Sequence, residues 1–179
     1  MRDIAHAIGG RVSPLTVAVA GALVVVDQLT KWWAVGTLDD RNIDLFWTLR
    51  FNLSYNTGMA FGQGRGMGPI IGVLAMVIIV VLLLSLRRGT SRLLDIAMGM
   101  VVGGAAGNLV DRLFREPGWL RGAVIDFIDF QWFPIFNVAD MGITIGGALL
   151  LIASWRASKL DHQPAPAPVS APDSEGEST

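Results

Sequence analysis

GGAAGNLVDR (residues 103–112), VIDFIDF (124–130) and FNVAD (136–140) are three pieces of one stretch, Gly103 to Asp140. They set Asn108, Asp111, Arg112, Asp126, Asp129, Asn137 and Asp140 against sequence apolar enough for lipid. Ionisable groups beside hydrocarbon are costly, and their default reading is functional. The rest of the chain reads as the means of holding this cluster at a membrane surface.

Composition agrees with that setting. A chain of 179 residues suggests one domain. Hydrophobic residues make up 52% and charged ones 16%, against roughly 25% charged in a soluble domain. The apolar excess lies in blocks, as in a membrane protein. A net charge of −1 carries no basic footprint, so no nucleic-acid partner is expected. The absence of cysteine excludes a thiol nucleophile, a disulfide framework and Cys-based zinc sites. His6 and His162 lie near the termini, away from the cluster, so neither a His-based metal site nor a Ser-His-Asp triad is expected. Chemistry falls to Asp, Glu, Asn, Arg, Lys or Ser.

Four apolar runs are long enough, or nearly so, to cross a hydrocarbon core of roughly 30 Å: about 15–35, 70–86, 93–110 and 136–155. Residues 1–13 lack an Ala-x-Ala-like cleavage site before the first apolar run, so they are expected to stay as a short cytoplasmic segment. Pro14 suits a first helical turn. The first run carries Asp27 and Lys31, four apart and able to pair, followed by Trp32 and Trp33 at an aqueous edge. Gly99, Gly103 and Gly107 recur every four residues, as do Gly142 and Gly146, giving smooth faces for close helix packing. The membrane unit is expected over 14–158. The Pro/Ala-rich acidic remainder, 159–179, reads as a disordered cytoplasmic tail.

Two loops separate the spans on one side. Phe46–Leu53 reads as an aromatic-rich strand or hairpin at the interface. Gly62–Gly68 supplies turns and a candidate mobile cover. The fourteen Lys and Arg divide evenly between the two sides. Three of them crowd the short turn Arg87–Arg92, and short loops carry the topology signal. That turn and both termini are therefore placed in the cytoplasm, with the cluster facing outward.

Each polar group also has an ordinary explanation. Asp111 and Arg112 can neutralise each other where a helix ends. Asn137 can cap the fourth span, with Asp140 favoured at the positive end of the helix dipole. Asp126 and Asp129 can lie on the solvent face of a strand. Asn56-Thr57-Gly58 can be a simple turn. Jointly they offer something further. Two carboxylates held close share a proton near neutrality, so one can accept a proton from water while the other donates to a carbonyl. Two rivals compete with that reading: a Ser/Lys peptidase built from Ser54 and Lys31, and a small proton-coupled transporter. Asp27 would hold Lys31 as an ammonium, against the first. The polar residues gather towards one leaflet and skip the second span, against the other.

The ordered motifs Asp27-Gln28-Leu29-Thr30-Lys31, Asn56-Thr57-Gly58-Met59-Ala60-Phe61, Gly103 to Arg112, Val124-Ile125-Asp126-Phe127 and Phe136-Asn137-Val138-Ala139-Asp140 resemble those of the lipoprotein signal peptidases (signal peptidase II). These are aspartic peptidases of the bacterial cytoplasmic membrane. Met59 stands where the family more often has Ala, and the acidic tail is not a family feature. The resemblance implies four transmembrane helices with a small extracytoplasmic β-sheet cradle. It implies cleavage of prolipoproteins before a diacylglyceryl-modified cysteine, with membrane lipid as surroundings and no cofactor or metal. By the same resemblance, Asp126 and Asp140 are catalytic. Asn56, Asn108, Arg112 and Asn137 contact substrate, and Asp27, Lys31, Gly58 and Asp111 support the site.

Overall fold

A computed structural model describes residues 12–58, 66–85 and 91–161. The expected N-terminal segment, the candidate cover, Met59 to Phe61, most of the basic turn and the tail beyond Asp161 lie largely or wholly outside these residues. Among the described residues the order is α1 (Pro14–Leu38), β1 (Ile43–Phe46), β2 (Leu49–Asn56), α2 (Gly68–Ser85), α3 (Arg92–Phe114), β3 (Val124–Asp129) and α4 (Val138–Asp161). The architecture is that of an α-helical integral membrane protein with a small antiparallel sheet.

Helix starts follow from local chemistry. Ser13 caps α1, its hydroxyl accepting from the Leu15 amide, and Pro14 occupies the first turn. Ser91 caps α3 in the same way through Leu94, with Asp95 in the first turn beside the positive end of the dipole. Helices α1, α3 and α4 are long and apolar enough to cross a membrane. Helix α2, with 18 residues, is shorter and apolar almost throughout. Large apolar side chains such as Leu29, Val73, Val77, Val81 and Leu151 are exposed along the helices. Apolar surface on that scale is stable in hydrocarbon and a liability in water.

Helix α3 is the centre of the bundle. The recurrent glycines explain why. A Cβ on Gly99 would meet the Thr16 carbonyl oxygen at 2.8 Å, and one on Gly103 the Ala20 carbonyl oxygen at 2.7 Å, so this face fits directly against the backbone of α1. A Cβ on Gly146 of α4 would lie 2.9 Å from the Ala97 carbonyl oxygen, on another face of α3. Small residues allow backbones to approach closely, the source of helix association where lipid is as apolar as leucine.

The sheet has the order β1-β2-β3, antiparallel throughout. Ser54 stands opposite Asp126, and Arg50 opposite Asp129. One face covers the end of α1, where Ala34, Leu38, Ile125 and Phe127 form a buried cluster with Phe51 and Val138 beside it. Trp33 packs edge-on against Phe51 with centroids 5.3 Å apart, so it serves this core, while Trp32 is 77% exposed.

Several boundaries differ from the sequence reading. Helix α3 continues past Val110 to Phe114, because Asp111 and Arg112 are paired inside the protein and need not end the helix at water. Phe136 is extended rather than helical, bridging to Ile128. Helix α4 begins at Val138 and runs to Asp161, with the Lys159 ammonium over the Trp155 ring at 3.9 Å. The aromatic segment at Phe46–Leu53 is a hairpin whose turn falls at Trp47 and Thr48, the β1–β2 connection.

Candidate active site

Asp126 sits in the middle of β3, and Asp140 lies in the first turn of α4. Asn137 immediately precedes that helix. Its carboxamide oxygen accepts from the Asp140 amide at 3.0 Å, and Asp140 Oδ2 accepts from the Asn137 amide at 3.2 Å. This reciprocal pair is a capping box, with a carboxylate at the third helical position. The ordinary explanation of Asn137 and Asp140 as helix-start chemistry is therefore correct for both. It does not exhaust them. The other end of the Asn137 carboxamide donates to Asp126 Oδ1 at 2.6 Å. One fully buried side chain thus ties the strand carboxyl to the helix that carries the other.

Asn56 approaches Asp126 from β2, donating to Oδ2 at 3.1 Å, while its own oxygen accepts from the Gly58 amide at 3.0 Å. The turn expected at Asn56-Thr57-Gly58 is present, and it aims the amide at Asp126. Asn108 of α3 donates to Asp140 Oδ1 at 2.8 Å. Arg112, buried one turn further along α3, donates through Nη2 to the Gly58 carbonyl at 2.9 Å. Its Nη1 is buried with no hydrogen-bond partner among the described residues.

Asp126 is 3% exposed, so it does not lie on a solvent face. Burial pushes its carboxyl up, the Asp140 charge adds to the push, and hydrogen bonds from Asn56 and Asn137 only partly offset them. The result is about 7. A carboxyl at that value still carries its proton part of the time at neutrality and can act as an acid. Asp129 is equally buried but differs in character. Arg50 Nε at 2.8 Å, Asn52 Nδ2 at 3.0 Å and the Gln131 amide at 2.6 Å all donate to it. Burial alone would raise its carboxyl; these hydrogen bonds outweigh burial and hold it below the usual carboxylate range. Asp129 is therefore a brace between strands, placed away from the Asp126 side of the cluster by its partners.

Behind Asn108 lies a buried ionic group. Lys31 Nζ is 2.8 Å from Asp27 Oδ2 and 2.8 Å from Asp111 Oδ2, with all three side chains fully buried. Asp27 also accepts from the Ala139 amide at 2.9 Å, tying α1 to the start of α4. Lys31 is sealed within protein, its ammonium held by the two carboxylates. Asp111 pairs with Lys31 and with Arg115 Nε at 2.7 Å, not with Arg112. Adjacent helical residues diverge, whereas residues four apart share a face. Arg115 and Gln28, whose Nε2 lies 3.3 Å from Asp111 Oδ1, are members that the sequence reading passed over. The four-residue spacing from Asp111 was the available signal for Arg115. Ser54 stands across the sheet from Asp126, and the three donors of Lys31 go to Asp27, Asp111 and Asn108, which leaves the Ser/Lys arrangement without its base.

Residues 19–156 match the family model described as signal peptidase (SPase) II. The chain is 35% identical over 142 residues to a lipoprotein signal peptidase of Mycobacterium leprae, covering 78% of this chain and 71% of that one. It is 39% identical over 140 residues to the Mycobacterium avium protein of the same name, covering 77% and 76%. A bacterial membrane enzyme solved by the in meso method at 2.3 Å superposes with a TM-score of 0.70 at 26% identity, over 84% of this chain and 93% of that one. The chain is a bacterial membrane protein, and it belongs to the signal peptidase II family.

Proposed function

We propose that this protein is a membrane aspartyl endopeptidase that removes signal peptides from diacylglyceryl-modified prolipoproteins, with Asp126 and Asp140 as the catalytic pair. The observation that carries the reading is Asn137: it donates to Asp126 and caps the helix bearing Asp140, so the two carboxyls share one buried anchor. The family match supports the substrate class.

The chemistry needs only side chains and water. A water held between the carboxyls gives a proton to Asp140 and attacks the scissile carbonyl carbon. Asp126, in its protonated form, gives its proton to the carbonyl oxygen. The tetrahedral intermediate then collapses: the C–N bond breaks, the nitrogen takes the proton from Asp140, and the hydroxyl proton returns to Asp126 as the carbonyl reforms. Asn56, Asn108 and Asn137 orient the two carboxyls, and Arg112, whose buried Nη1 has no hydrogen-bond partner among the described residues, would donate to a backbone carbonyl of the substrate.

The signal peptide helix would lie in the membrane among the spans, with the acyl chains left in lipid. The membrane unit extends over 14–158, with residues 1–13 and 159–179 as cytoplasmic extensions. Both termini face the cytoplasm, and the sheet and cluster face outward. The test is incubation of the purified protein with a lipidated prolipoprotein and with its unlipidated form. Cleavage of the lipidated form alone, lost in Asp126→Asn and in Asp140→Asn, is expected. Activity retained in either variant rules out the pair.

A further inference from the structure

We propose that Lys31 is a positioning residue: it fixes which end of the Asn108 carboxamide faces Asp140. The inference rests on the Asp126–Asp140 reading and goes beyond it.

The buried ionic group does not need Asn108 for its charge. Asp27 and Asp111 are balanced by Lys31 and Arg115, through contacts of 2.7 to 2.8 Å. Yet the third direction of the Lys31 ammonium goes to Asn108 Oδ1 at 3.0 Å. An ammonium has three donors and no acceptor. Asn108 must therefore present its oxygen to Lys31, and its amino group is left for Asp140 Oδ1 at 2.8 Å. Asn137 Nδ2 also reaches Asn108 Oδ1, at 3.1 Å, and enforces the same orientation from the other side.

A carboxamide is nearly symmetric in shape, so sterics alone do not choose its orientation. If Asn108 were reversed, an oxygen would face Asp140. That arrangement favours a protonated Asp140, which cannot accept the proton of the attacking water. Of the three carboxamides beside the pair, Asn137 and Asn108 have different charged or backbone anchors, although Asn137 also touches Asn108. Asn137 is set by the backbone amide at the start of α4, and Asn108 by a lysine on α1. Charged groups around this point are Asp27 and Lys31 on α1, Asp111, Arg112 and Arg115 on α3, Asp126 on β3 and Asp140 itself. Among them, Lys31 is the cation bonded to Asn108.

The experiment compares kcat and KM across pH for the whole protein in detergent with lipidated substrate. The variants are Lys31→Met paired with Asp27→Asn, which keeps the buried charge even, Asn108→Ala, and the combination of all three changes. Thr16→Val is the control, because it removes a buried α1–α3 hydrogen bond at the far end of the helix pair. Expected are a fall in kcat of at least about tenfold with little change in KM, and an acid limb moved up by about one pH unit. The changes in the Lys31 and Asn108 variants should not add. Thr16→Val should lower the melting temperature alone. Additive effects, or an acid limb that stays in place in Asn108→Ala, would overturn the proposal whatever the Lys31 variant does. Activity retained in Asp126→Asn or Asp140→Asn would instead remove the reading beneath it.

Discussion

The Asn137 carboxamide donates to Asp126 Oδ1 across 2.6 Å, and its oxygen caps the first turn of the helix that carries Asp140. A helix cap and a site contact are therefore one side chain, and the two roles can be separated by substitution. Serine is as good a cap as asparagine but has no amide to reach Asp126. Asn137→Ser should melt close to wild type, while kcat falls by about 100-fold or more. Asn137→Ala should lose both, with about 1 kcal/mol of stability gone. Thermal melting in detergent and steady-state cleavage measure the two effects independently.

Asp126 makes both rate and stability depend on pH. Its folded carboxyl titrates near 7, far above the ordinary value of 3.8. Between those values the folded chain holds a proton that the unfolded chain has released. Stability from this group is therefore fully present at the acidic end, declines as pH rises towards about 7, and is flat above it. Asp126→Asn should remove that slope and melt no lower than wild type above neutrality. In the active enzyme, cleavage should fall as pH rises through about 7, in a profile that belongs to the coupled pair.

Asp129 should show the opposite sign. Its folded carboxyl is held below the usual range by Asn52, Arg50 and the Gln131 amide, against the effect of burial. Its contribution is present above the unfolded value and is lost as pH falls through the lower folded one. Asp129→Ala should cost about 1–3 kcal/mol near neutrality, read as a lower melting temperature.

Two glycines in helices should respond differently to the same change. A Cβ on Gly103 would lie 2.7 Å from the Ala20 carbonyl oxygen, whereas one on Gly36 meets nothing within 4 Å. Gly103→Ala should separate α1 from α3 and destabilise by about 1–3 kcal/mol. Gly36→Ala should be neutral or stabilise by up to about 1 kcal/mol. Melting of the two variants side by side provides the check.

Much of the architecture was readable because it is local. Run length and hydropathy marked the helices, and Pro14 marked the first one's start. Glycines at intervals of four marked the faces of α3 and α4 that approach their neighbours. The Asn56–Gly58 turn and the Asp27–Lys31 pair were readable for the same reason, since their partners lie two and four residues apart. Phe136 was misread as helical because its apolar side chain continues the pattern of the span. Its backbone is instead taken by a bridge to Ile128, which no local pattern records.

The sequence by itself determined that polar groups would be carried to one edge of a membrane bundle, because insertion into lipid depends on runs of residues and on little else. Only the tertiary structure decided which of those groups meet. Asp111 turned to Lys31, eighty positions back, rather than to the arginine beside it, and Asp129 was claimed by Arg50 and Asn52. Adjacent side chains on a helix diverge by about 100°, whereas strand pairing and helix packing bring distant ones within hydrogen-bond reach, and a buried charge binds whichever partner that packing supplies.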